Sequence, residues 1–91
     1  MDEKDLNRIR ETLGASQSWP GVYMFKFIVP SDNEKIAKVE ALFNAETSEI
    51  RRSESKNGKY TSITAKELML NPDKVLECYQ KASEIEGLIA L

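Results

Sequence analysis

No histidine occurs in these 91 residues, and cysteine occurs once, at Cys78. Without imidazole, a His-activated nucleophile, a His general base and His metal ligation are all excluded. A single cysteine leaves no internal disulfide, no CxxC redox pair and no multi-cysteine metal cluster, and makes a reducing compartment the expected home. Cys78 reads as a small core residue rather than a reactive thiol. Glycine is sparse too: the four are isolated, so neither a GxGxxG fingerprint nor a phosphate loop can be assembled. Long apolar runs are missing, with nothing near the ~20 residues of a membrane span. The segment "MDEKDLNRIRETLG" carries charge where a signal peptide needs an apolar stretch. The resulting expectation is a cytoplasmic protein with no membrane partner.

Excess charge of one sign is also lacking. Thirteen Lys and Arg against fifteen Asp and Glu leave a net charge of −2, the wrong balance for a nonspecific polyanion binder. Carboxylates are plentiful but sit at helix-surface spacing beside lysines, not as a paired acid and base. No cofactor is implied.

What is present describes one small globular domain. Hydrophobic residues at 41% and charged residues at 31% are ordinary for a folded chain. At this length a single modest core is expected. Leu6, Ile9 and Leu13 recur at helical spacing within Lys4–Leu13, and Gly14 reads as the stop. After the loop "ASQSWPG", the run "VYMFKFIV" (Val22–Val29) is rich in β-branched and aromatic residues and reads as a central strand ended by Pro30. Its alternation puts Tyr23, Phe25 and Phe27 inside and Met24, Lys26 and Ile28 outside. "SDNE" reads as a capping box with Ser31 as cap. The helix that follows buries Ile36, Val39 and Phe43, pairs Glu34 with Lys38 outside, and ends near Ala45. Ser48–Ser55 reads as a charged edge strand.

Asn57-Gly58 is a hairpin signal, since a type I′ turn needs positive φ at both central residues. A two-residue loop there sets Ser55 opposite Tyr60, Ser53 opposite Ser62 and Arg51 opposite Thr64. Thr61, Ile63 and Ala65 then face the core, while Tyr60, Ser62, Thr64 and Lys66 face away. The last helix has Asn71 as cap and Pro72 at its first position, with Asp73 at the positive end of the dipole. It buries Val75, Cys78, Tyr79, Ala82 and Ile85 and ends at Gly87, and "LIAL" closes the chain as a strand.

The order is a helix followed by β-α-β-β-α-β. That predicts an α+β, ferredoxin-like βαββαβ fold: a four-stranded antiparallel sheet with two helices on one face, plus a short N-terminal helix. Residues 1–18 form the helical extension and residues 19–91 the single ferredoxin-like domain. An acylphosphatase-type site on such a fold needs an arginine after the first strand, and "VPSDNE" supplies none. RNA recognition on such a sheet uses several aromatics. "GKYTSITA" offers Tyr60 alone, and Arg51, Arg52, Lys56, Lys59 and Lys66 make at most a local basic rim.

"WPGVYMFKFIVPSDNE", "SKNGKYTSIT" and "VLECYQKASEIEGLIAL" together resemble the YbeD-like family of small bacterial proteins, over roughly Trp19 to Leu91. That resemblance implies a fold similar to ligand-sensing ACT domains, and its members are labelled lipoic acid-binding regulatory proteins. The resulting expectation is a non-enzymatic regulatory or small-ligand-binding module linked to lipoate metabolism. It would act through the open sheet face or a dimer interface, with RNA binding through the same face as the alternative. The candidate face is Met24, Lys26, Tyr60, Ser62 and Thr64. The expected partners are a homodimer mate or another protein and a small acidic ligand such as lipoate, with nucleic acid disfavoured.

Overall fold

In a computed structural model, which describes residues 3–91, the elements run α1 (Glu3–Ser16), β1 (Gly21–Pro30), α2 (Asn33–Glu40), β2 (Glu49–Glu54), β3 (Tyr60–Met69), α3 (Pro72–Ala82) and β4 (Ile89–Ala90). The two remaining residues of the expected 1–18 extension lie outside the described residues. The fold is α+β, with three helices and one four-stranded antiparallel sheet in the order β2-β3-β1-β4.

The period-2 pattern of β1 and β3 decides which side is covered. Phe25 pairs with Ala65, Phe27 with Ile63 and Val29 with Thr61, and all six are buried. Val39 of α2 and Val75, Cys78 and Ala82 of α3 complete that core, so both helices cover the same side of the sheet. Phe25 is its hub, with its ring centroid 4.8 Å from Tyr23, 5.2 Å from Phe43 and 5.3 Å from Tyr79. The alternate residues Val22, Met24 and Leu68 are 55–62% exposed, which leaves the other side of the sheet open.

Several expected boundaries differ. Ser31 is not the cap of α2: its hydroxyl is held at 2.9 Å by buried Thr61. Asp32 caps instead, accepting from the backbone N–H of Glu34 (2.8 Å) and Lys35 (3.3 Å). The Glu34 side chain consequently pairs with Lys38 at 3.4 Å rather than reaching back to close a capping box. α2 ends at Glu40, not Ala45. The chain there tightens into i→i+3 bonds, Leu42 N–H to Val39 O (3.1 Å) and Phe43 N–H to Glu40 O (3.1 Å), which swing Phe43 into the core.

Gly14 does not end the first helix, which continues to Ser16. A side chain at Gly14 would lie 3.9 Å from the Pro72 ring, so this glycine sits where α1 comes close to the start of α3. At the other end, α3 stops at Ala82 and an irregular turn intervenes before Gly87, whose φ is +81°. β4 then pairs only with Phe27 and Ile28. The expected cap of α3 is in place: Asn71 accepts from Lys74 N–H at 3.0 Å, and Pro72 takes the first turn.

The β2–β3 reversal has the expected register, with Ser53 opposite Ser62 and Arg51 opposite Thr64. Its turn is not type I′, because only Gly58 has positive φ (+73°). Gly58 N–H donates to Ser55 O (2.9 Å) and Ser55 N–H to Tyr60 O (2.8 Å). Asn57 keeps a negative φ because its side-chain oxygen is used locally, accepting from Lys59 N–H at 3.1 Å and the Ser55 hydroxyl at 3.0 Å.

Candidate functional site

All five expected face residues lie on the open side, and antiparallel pairing fixes their neighbours. Lys26 is directly opposite Thr64, Ile28 opposite Ser62, Met24 opposite Lys66 and Pro30 opposite Tyr60. They do not converge on one pocket. Met24, Thr64 and Lys66 line a shallow hollow of about 250 Å³ with Glu49 and Arg51. Tyr60 and Ser62 line a second, of about 420 Å³, with Ile28 and residues 53–55. Lys26 stands between them and lines neither.

The charges on this face are set by the β2 partners. Arg51 is tied to Glu49 on its own strand at 2.8 Å. Arg52, one residue on, points to the helix side and forms a two-pronged pair with Glu40 at 2.7 and 2.8 Å. That bond, with the attraction of the carboxylate, raises the Arg52 guanidinium pKa and removes this residue from any basic rim on the open face. Lys26 and Lys66 remain as diagonal neighbours, and neither has an anionic partner within 4.0 Å among the described residues. Around them stand exposed Val22, Met24 and Leu68 at one end and Tyr60 and Ile89 at the other. An anionic head with an apolar body matches such a surface: two ammonium groups for the head, and methionine and aliphatic side chains for the body.

A larger hollow, about 480 Å³, lies on the opposite side of the sheet and was not anticipated. Ile9 of α1, Tyr23 of β1, Leu76 and Tyr79 of α3, and Leu88 and Leu91 at the chain end line it. The hydroxyls of Tyr23 and Tyr79 meet at 3.0 Å. The stripe Val75, Cys78, Tyr79, Ala82 marks the face of α3 toward the sheet, but Leu76 is also buried, at 4% exposure, on the side turned to α1. An ion pair between Arg10 and Asp73 joins the same two helices. The periodic apolar residues of α1 were a signal that this helix packs on something, but they do not say on what.

Burial disfavours the ionised forms of two neighbouring groups on α3, Cys78 and Tyr79. It pushes the Cys78 thiol up to about 11, with the Glu67 carboxylate adding to the effect. It also raises Tyr79, helped by the hydroxyl bond with Tyr23. Cys78 therefore stays a protonated thiol at neutral pH, unsuited to nucleophilic chemistry. Above the ordinary thiol value of 9.0, the unfolded chain gives up this proton while the folded chain retains it. The unfolded state then holds fewer protons, so stability falls as pH rises from 9 towards 11. We expect the urea midpoint to drop between pH 8 and pH 10.5, and to drop less in a Cys78→Ala/Tyr79→Phe double variant. Equal drops in both proteins would show that these groups do not carry the effect.

Among the described residues no group of three or more potential metal ligands occurs, and no helix is long and apolar enough to cross a membrane. No curated protein and no solved structure matches the chain. A family match does exist, in agreement with the YbeD-like resemblance at the level of a small family without an assigned activity. Matching over residues 15–91, the chain belongs to the family described as "Protein of unknown function (DUF493)".

Proposed function

We propose that this protein is a non-enzymatic regulatory binding module of ferredoxin-like, ACT-like architecture, and that it takes a small amphipathic carboxylate such as lipoate on its open sheet face. The observation that carries this reading is the pair Lys26 and Lys66, diagonal neighbours without anionic partners among the described residues, set among exposed Val22, Met24 and Leu68. The lysines meet the carboxylate and the apolar side chains meet the chain behind it. Because the hollows on this face are shallow, a partner surface, a second copy or another protein, completes the burial of the ligand. A cytoplasmic location fits such a role.

Thermal shift tests the reading directly, since a ligand that prefers the folded state raises its melting temperature. Lipoate and octanoate should raise it, and neutral lipoamide should raise it less. The double variant Lys26→Gln/Lys66→Gln, at two exposed positions, should keep its own melting temperature while losing the response to the acids; glutamine is chosen because Lys66 stands opposite Glu49, where a second carboxylate would repel. An equal response to lipoate and lipoamide, or no response to millimolar lipoate, would remove the proposal.

A further inference from the structure

The chain has five asparagines, and Asn57 alone is followed by glycine. Asn-Gly is the pairing most open to spontaneous deamidation, because glycine has no side chain to shield its backbone nitrogen. In that reaction the Gly58 nitrogen loses its proton and bonds to Cγ of Asn57. The side-chain nitrogen takes up the proton and leaves as ammonia. Water, the one co-reactant, then opens the cyclic imide at either carbonyl and leaves aspartate or isoaspartate.

The folded turn engages both reacting groups. Gly58 N–H donates to Ser55 O at 2.9 Å, and a bond to the protonated nitrogen opposes loss of its proton. The Asn57 carboxamide is held by two donors, its oxygen accepting from Lys59 N–H at 3.1 Å and from the Ser55 hydroxyl at 3.0 Å. That hydroxyl is itself fixed, accepting from Tyr60 N–H at 3.1 Å. Cγ must swing onto the Gly58 nitrogen for the imide to close, and these bonds resist the rotation. Crowding does not protect the site, since a Cβ at Gly58 would meet nothing within 4 Å.

The turn lasts only as long as its strands stay paired. β2 lies at an edge of the sheet, with β3 as its strand neighbour. Five of its six residues are exposed, and Ile50 packs only partly against the core. Arg52 ties β2 to α2 through its two-pronged pair with Glu40. An element with so few buried contacts and exposed backbone bonds opens locally without melting the whole domain.

We propose that Asn57-Gly58 is a deamidation site closed by its own hairpin: the intact turn protects it, and separation of β2 from β3 releases it. The change is one-way. Isoaspartate adds a backbone carbon between Ser55 and Gly58, so the turn cannot close again in the same geometry. Aspartate instead sets a new carboxylate beside Ser55, which borders the hollow of Tyr60 and Ser62. The site does not depend on the ligand reading above.

The test compares the full chain with the peptide acetyl-Ser-Lys-Asn-Gly-Lys-Tyr-amide, which has the same local sequence and no sheet. Both are incubated at mildly alkaline pH in heavy-oxygen water, and label at residue 57 is followed by peptide mapping. The chain should react at least ~10-fold more slowly than the peptide, the effect of about two net hydrogen bonds. Variants at exposed positions, their folds checked by circular dichroism, then probe the hairpin. Ser55→Ala removes the hydroxyl that holds Asn57, and Arg52→Gln frees β2 from α2 without touching the turn. Each should speed the reaction of the chain ~2–5-fold. Arg51→Gln should leave it unchanged, because its partner Glu49 lies on the same strand and their pair survives opening. Equal rates in chain and peptide would overturn the protection. No acceleration by Arg52→Gln, or the same acceleration by Arg51→Gln, would overturn release through the edge strand.

Discussion

Phe25→Ala is expected to destabilise the domain by about 3–5 kcal/mol, the range for removing a large aromatic side chain from a well-packed site. Phe25 is fully buried and stands against Tyr23, Phe27, Phe43 and Tyr79, so its loss opens a void that four rings border. Partial collapse of the rings into that void would bring the value to the lower end. In a domain of this size even ~3 kcal/mol lowers the melting temperature by roughly 12 °C or more. The paired control is Met24→Ala, one residue away on the same strand but 55% exposed, which should cost less than ~1 kcal/mol. Urea denaturation of the two variants measures which side of β1 is covered. Comparable losses would contradict a sheet with one open face.

Gly21→Ala should have the next largest effect, about 1–3 kcal/mol. A Cβ there would lie 2.6 Å from the Ser18 carbonyl oxygen and 2.6 Å from the Gln17 side-chain nitrogen. The glutamine amide can rotate away. The Ser18 carbonyl belongs to the main chain between α1 and β1 and can move only with that connection. Trp19 lies in the same connection and donates its indole N–H to Leu13 O at 3.0 Å, which ties the bend to the end of α1. Relief of the clash therefore disturbs the seat of α1 on α3, not merely a loop. Thermal denaturation measures the cost, and Gly58→Ala gives the contrast. That glycine has open space around it, and its positive φ alone sets a penalty of about 1 kcal/mol. An equal or smaller loss at Gly21 would mean that the bend yields freely.

The alternation in Val22–Val29 and Thr61–Ala65 was sufficient to divide buried from open residues, because a pleated strand presents successive side chains to opposite faces. Asn57-Gly58 located the reversal and its register, although the turn itself took another form once the Asn57 side chain bonded its neighbours. Asn71-Pro72 marked the start of α3, because cap and proline act on the backbone beside them. The expectation failed at Ser31, where a second hydroxyl, thirty residues further along the chain at Thr61, competes for the cap. It also failed at Gly14, where close approach to Pro72 substitutes for a helix stop. Each failure occurs where a distant residue supplies the deciding contact.

The candidate site divides in the same way. Met24, Lys26, Tyr60, Ser62 and Thr64 could be assigned to one face from the period of two alone. That they fall into two hollows, and that Lys26 and Lys66 stay without anionic partners among the described residues while Glu49 takes Arg51 and Glu40 takes Arg52, is set by the tertiary contacts. The cleft beneath α1 was invisible beforehand because it is formed by four segments, α1, β1, α3 and residues 88–91, that only folding brings together. Local order in the amino acids thus determined the elements and their inward and outward faces, since backbone conformation and side-chain direction are properties of neighbouring residues. Only the tertiary structure decided where α1 docks on α3 and which acidic side chain each arginine meets. Those outcomes depend on competition among distant surfaces for the same contacts.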